Sequence, residues 1–200
     1  MAAPSLCEGW SRADVVAHLA SNARALVRMV DWAVTGEEQQ VYPSREARAE
    51  EIARIAAMPR KELISELGEA SRFFAEQSER LAGDLRAEEV RIGEMPVPAT
   101  SLVAVRISEV VVHHGDLDTA WTIEEADPDS LLNAVEAAVR AMRVRNAPGL
   151  TLRTEERDEW VTGDGALTVE SDREGLLAWL ARGETEGVEA EGPLPELPAW

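Results

Sequence analysis

One cysteine, one lysine and three histidines in 200 residues leave little reactive material, and each scarcity removes a class of protein. With Cys7 alone, no internal disulfide can close, so nothing in the composition calls for an oxidising compartment. Basic side chains are outnumbered, 20 against 38 acidic ones, for a formal balance of −18. Such a surface repels phosphate backbones and anionic lipid, which argues against nucleic-acid and membrane partners. The opening residues, MAAPSLCEGW, lack the basic start and apolar core of a secretory signal, and no apolar run approaches the roughly 20 residues that span a bilayer. A cytoplasmic protein is the expectation. No phosphate-cradling glycine loop, nucleophile elbow or paired-cysteine zinc motif occurs.

What is present is a 45% apolar share, enough for a globular core, arranged largely with helical spacing. Ser11 stands three residues before Asp14 as a hydroxyl N-cap, Val15, Leu19, Leu26 and Val30 recur at helical spacing, and Gly36 closes the first helix. Ser44 caps a second helix that Pro59 stops. A third runs from Arg60 to Leu81 on Leu63, Leu67 and Phe74. Residues 84–99, with Gly93, Pro96 and Pro98, read as a crossing loop. A fourth helix, capped by Thr100 or Ser101, is expected to run to about Trp121, although its valine run alone would also suit a strand. Beyond it the pattern changes to a helix bounded by Pro128 and Pro148, three stretches of near-alternation (LTLRTEE, EWVTG, ALTVES) and a short helix REGLLAWLARG. The fold class is therefore α+β, with a helical domain over 1–122 and a small helix-plus-sheet domain over 123–200. The tail is acidic and rich in proline and glycine, with Leu194, Leu197 and Trp200 able to pin it back.

The histidines carry the chemistry. In EVVVHH, Glu109 and His113 are four residues apart, so on a helix they leave one face a turn apart and can converge on one ion. His18 lies within or at the edge of the apolar arc of the first helix and needs a partner there. If the two helices are neighbours, His18, Glu109 and His113 form a set of two imidazoles and a carboxylate that leaves a coordination position open. Asp116, one turn on, can accept from an imidazole N–H, and Arg106, one turn before, can orient the carboxylate. His114 points off this face. A hydrogen-bonded core histidine and a chance pair four apart are the plainer readings of the same residues. Cys7 has no His, Asp or basic cluster beside it in the sequence and reads as a small buried side chain. The tryptophans are spread too evenly for a stacking platform and read as packing residues.

The blocks CEGWSRADVVAHLASNARAL, TGEEQQVYPSREARAEEI, VRISEVVVHHGDLDTAW, LLAWLARG and LPELPAW, in this order, resemble the mycothiol-dependent maleylpyruvate isomerase family across essentially the whole chain. The resemblance implies a DinB-like metal-binding helical bundle followed by a small α/β domain similar to sterol carrier proteins. It implies His18, Glu109 and His113 as the metal ligands and zinc as the metal, although two histidines and a carboxylate would also serve Fe(II). It further implies mycothiol as thiol cofactor and isomerisation of maleylpyruvate, an unsaturated dicarboxylate, to fumarylpyruvate. A bound thiolate would add to the double bond, allow rotation and leave. Arg182 resembles an arginine that the C-terminal domain contributes to the active site, in a block about one residue shorter than usual. Family members carry an extra helix before the GW block, whereas Trp10 lies nine residues after Met1. The bundle is thus expected to lack its first helix, to expose an apolar strip and to favour self-association. A sister thiol transferase, a non-catalytic metal-binding protein and a metal-free carrier are the other functions the residues allow.

Overall fold

The computed structural model describes residues 1–145 and 147–198 and divides the chain into two compact units, Met1–Trp121 and Thr122–Trp200. The first unit is organised around one helix, α1 (Arg12–Thr35). Its start is the capping box expected at Ser11, whose hydroxyl accepts from the Asp14 backbone N–H while the Asp14 carboxylate accepts from the Ser11 N–H. Its end is Gly36 at φ 78°, a left-handed conformation that glycine adopts without a Cβ penalty. Between them the helix is buried almost all round, with Ala17, Ala20, Ala23, Ala25 and Ala33 at 0% exposure. Alanines let neighbours approach closely, and α1 packs against α2 (Arg45–Ala56), α3 (Arg60–Ser78) and α4 (Leu102–Gly115). Leu26, Met29, Ile52, Ile55, Leu63, Phe74 and Leu102 fill the space between these helices.

Three sequence expectations need correction here. Residues 84–99 are not simply a loop, because β1 (Glu89–Ile92) and β2 (Met95–Pro98) form an antiparallel hairpin with Val90 facing Val97, both fully buried. Prolines argue against strands because they cannot donate to a ladder, yet a two-stranded ribbon has outward-facing edges that tolerate them, and Gly93 at φ 61° makes the tight turn. The fourth helix is a helix and not a strand, but it ends at Gly115 rather than near Trp121, and Asp118 then turns at φ 49°. Its start is also different: Ser101 stands at the N-cap position but its hydroxyl makes no capping hydrogen bond, and a 3-10 turn over Ala99–Ser101 leads directly into the helix. Ile64 and Phe73 on α3 and Val103 and Val110 on α4 remain exposed.

The second unit follows the alternation of its sequence. Asp127 caps α5 (Pro128–Val144), and β3 (Leu150–Thr154), β4 (Glu159–Thr162) and β5 (Leu167–Ser171) precede α6 (Arg173–Arg182). The sheet order is β4-β3-β5-β6, with β3 and β5 parallel and the other pairs antiparallel. Leu150, Leu152 and Val169 point inward from the sheet and Leu176, Leu177 and Leu180 from α6, all at 2% exposure or less. The acidic tail adds a short strand, β6 (Glu189–Ala190), to the edge of β5. Leu194 and Leu197 beyond it are half-buried, whereas Trp200 lies outside the described residues.

Candidate metal centre

α1 and α4 are neighbours, and their packing brings His18, Glu109 and His113 together. His18 Nε2 lies 2.9 Å from Glu109 Oε2, and His113 Nε2 lies 3.7 Å from the same oxygen. The two imidazole rings meet edge to face with centroids 4.6 Å apart. Tetrahedral bonds of about 2.0–2.1 Å place ligand atoms about 3.3 Å apart. The two observed separations bracket that value, so the spacing of the donor set suits a small divalent cation.

Each group around the cluster is held by a second contact. His113 Nδ1 donates to Asp116 Oδ2 at 2.6 Å, which leaves Nε2 on the side of Glu109. Asp116 is itself buried at 2% exposure, and Cys7 Sγ donates to the same Oδ2 at 3.1 Å. Cys7 is therefore not a small core side chain. It is half-buried beside His113 and Asp116, brought there by the N-terminal segment through the Leu6 N–H to Asp116 carbonyl bond of 2.9 Å. Cys7, His113 and Asp116 also converge closely enough to hold an ion, but the short bond between Asp116 and His113 Nδ1 gives these atoms a supporting part.

Electrostatics favour a neutral imidazole facing an ionised carboxylate. Burial pushes the His18 pKa down, against the pull of the Glu109 hydrogen bond. Burial would raise the Glu109 carboxyl, but the hydrogen bond with His18 and the neighbouring positive groups outweigh it and hold it below its ordinary range. Arg48 Nη2 donates to His18 Nδ1 at 3.2 Å, so Nδ1 accepts and Nε2–H points at Glu109.

Arg106 behaves differently from expectation. Its Nη1 donates to the Leu19 carbonyl and Asn22 Oδ1, both at 2.8 Å, and its Nη2 to Ser71 Oγ at 3.2 Å. It clamps α4 to α1 and α3 and makes no hydrogen bond to Glu109, although its charge helps keep that carboxylate ionised. Burial lowers its own pKa to about 10, partly offset by Glu109. His114 stacks on Trp121, centroids 3.9 Å apart and planes 6° apart. Arg182 belongs to the second unit, where it closes α6 and its Nη1 donates to the Ala181 carbonyl at 2.8 Å.

Two residues at the cluster escaped the sequence reading. Arg48 is separated from His18 by 30 positions, and the only available signal was an arginine on the inner edge of a short helix. Trp10, read as packing, sits edge-on to His18 with centroids 5.4 Å apart.

The chain is thus an α+β protein whose helical unit gathers two histidines and a carboxylate at the contact of two helices. Residues 1–118 match the family model described as the mycothiol maleylpyruvate isomerase N-terminal domain, and the chain belongs to that family. Two solved structures are similar throughout. A crystal structure of the mycothiol-dependent maleylpyruvate isomerase is 29% identical with a TM-score of 0.81, over 98% of this chain and 84% of that one. A histidine-to-alanine mutant of the mycothiol-dependent maleylpyruvate isomerase is 28% identical with a TM-score of 0.82, over 100% of this chain and 85% of that one. No curated protein matches the chain.

Proposed function

We propose that this chain is a metal-dependent enzyme that uses mycothiol to isomerise maleylpyruvate to fumarylpyruvate, with His18, Glu109 and His113 holding zinc or another divalent cation. The observation that carries the reading is the convergence of His18 Nε2, His113 Nε2 and Glu109 Oε2 on one point. Three protein ligands leave room for a further ligand, as a catalytic site requires. When bound, the cation would acidify a thiol, and the thiol would supply a nucleophile whose reversible addition makes the double bond a rotatable single bond.

The chain's own residues supply the positioning. Asp116 holds the His113 ring through Nδ1, so that its Nε2 is the atom facing the centre. Glu109, ionised and shared between the two imidazoles, offsets the charge of a cation. Arg106 keeps α4 in register with α1, and a shift of 1 Å there would open the donor set. Trp10 packs edge-on against one side of His18 and limits the movement of its ring.

Purified protein mixed with mycothiol and maleylpyruvate should change the ultraviolet absorbance of the substrate without consuming thiol. Zinc-loaded protein that leaves the substrate unchanged would falsify the isomerase assignment, and stoichiometric loss of thiol would identify a transferase instead. His18→Ala should lower zinc content by about tenfold or more and abolish turnover with it. Retention of both would show that the ligand set is wrong. Arg182→Gln enters the same assay as the test of the role that resemblance gives it.

A further inference from the structure

We infer that Arg48, framed by Trp10 and Tyr42, is an anion-binding arm that takes a carboxylate of the electrophile beside the His18–Glu109–His113 cluster. The inference rests on the reading of that cluster as a metal centre.

The need for such a group follows from charge. The chain carries a formal −18, and two carboxylates, Glu109 and Asp116, lie at the cluster itself. A substrate bearing carboxylates meets repulsion unless a cation stands close by. Most arginines of the helical unit with described contacts are already committed. Arg106 spends its donors on Leu19, Asn22 and Ser71, Arg28 spends its own on the Val41 carbonyl, and Arg24 pairs with Glu66. Arg48 is different: among the described residues its side chain forms no ion pair, and the one hydrogen bond described for its guanidinium goes to an imidazole.

Its surroundings hold the guanidinium in place without consuming its donors. The Arg48 carbon Cζ lies 5.8 Å from the centroid of Trp10 and 5.8 Å from that of Tyr42, within the range of cation–π attraction to both. Tyr42 is anchored in turn, its hydroxyl 3.0 Å from Ser21 Oγ, which donates to Glu51 at 2.9 Å. Aromatic contacts satisfy the faces of a guanidinium, while carboxylates are bound by the N–H groups at its edge. Half-buried at the first turn of α2, Arg48 thus presents a planar fork within hydrogen-bonding distance of a proposed metal ligand.

The bond to His18 also suggests how the arm is released. An imidazole that gives its Nε2 lone pair to a cation must carry its proton on Nδ1. With Nε2 so engaged, Nδ1 would no longer accept from Arg48, whose N–H donors would be left for an acceptor on the substrate.

The test uses maleate, a stable cis-dicarboxylate, titrated calorimetrically into the zinc-loaded full chain. Arg48→Gln should weaken maleate binding about ten- to a hundredfold, as loss of a charge-assisted fork requires, while zinc content stays at the wild-type level. Arg48→Lys should restore only part of the affinity, because an ammonium is a point donor. Wild-type protein that fails to bind maleate at millimolar concentration, or an Arg48→Gln variant that binds it within twofold of wild type, overturns the inference. If Arg48→Gln does not fold, Arg48→Lys decides alone: undiminished affinity counts against the arm. The two readings fail separately. Maleate held through Arg48 without turnover of maleylpyruvate would remove the isomerase and keep the arm. Turnover with an unaltered KM in Arg48→Gln would do the reverse.

Discussion

His113 shows how much of a candidate centre is set by single contacts. Its Nδ1 faces a carboxylate at 2.6 Å and its Nε2 faces Glu109, so the ring is held in one orientation. Asp116→Asn should leave the fold intact but weaken zinc binding by about 10- to 100-fold in a competition titration, since such supporting groups are worth that much to their ligands. Unchanged affinity would mean that Asp116 serves only packing. The pair Glu109 and His113 was legible because helical spacing places i and i+4 on one face. Arg48 and Cys7 were not. Their partners lie 30 and 106 or more positions away, and no local pattern encodes a contact of that separation.

Elements begin and end where short-range chemistry dictates, and those limits were the most readable part of the chain. Ser11 and Ser44 cap their helices as expected, and Asp127 adds a cap to α5 that the sequence reading did not name. Ser11→Ala should cost about 1 kcal/mol in a urea melt, the usual loss when an N-cap hydroxyl is removed. The hairpin over residues 89–98 was missed because its prolines resemble loop signals, whereas its stability comes from burying Val90 and Val97 against the helices. In the second unit, Arg173 at the start of α6 grips Asp158, which lies between β3 and β4, through bonds of 2.6 and 3.1 Å. The hydrogen bond from Arg173 holds the Asp158 carboxyl below its ordinary range. A depressed carboxylate contributes stability above its unfolded pKa of about 3.9 and loses it as pH falls through the lower folded value. Asp158→Asn should therefore melt below wild type at pH 7, by about 1 kcal/mol, with the gap closing near pH 2. A gap that persists in acid would assign the effect to packing.

Across the chain, 38 acidic groups against 20 basic ones make charge a global fact, and the described helices include none long and apolar enough to cross a membrane. A cation bound only by the folded state stabilises it by about 2.7 kcal/mol at 100 times its dissociation constant. For a chain of this size that corresponds to roughly 5–10 °C in the melting temperature. Zinc should raise the midpoint by that amount, a chelator should reverse it, and the His18→Ala variant should show no shift. A zinc-independent midpoint in the wild type would remove the metal from the proposal.

Read as a string, the residues were enough to establish the α+β class, most helix limits, the strand pattern of the second unit and the candidacy of His18, Glu109 and His113. All of these are short-range, arising from side-chain periodicity, cap chemistry and excluded conformations. Packing had to settle whether α1 and α4 meet, that Cys7 joins Asp116, that Arg106 is spent as a clamp and that Arg48 stands over the cluster. Such contacts join segments tens of residues apart, and their energies depend on the distance and orientation that only folding supplies.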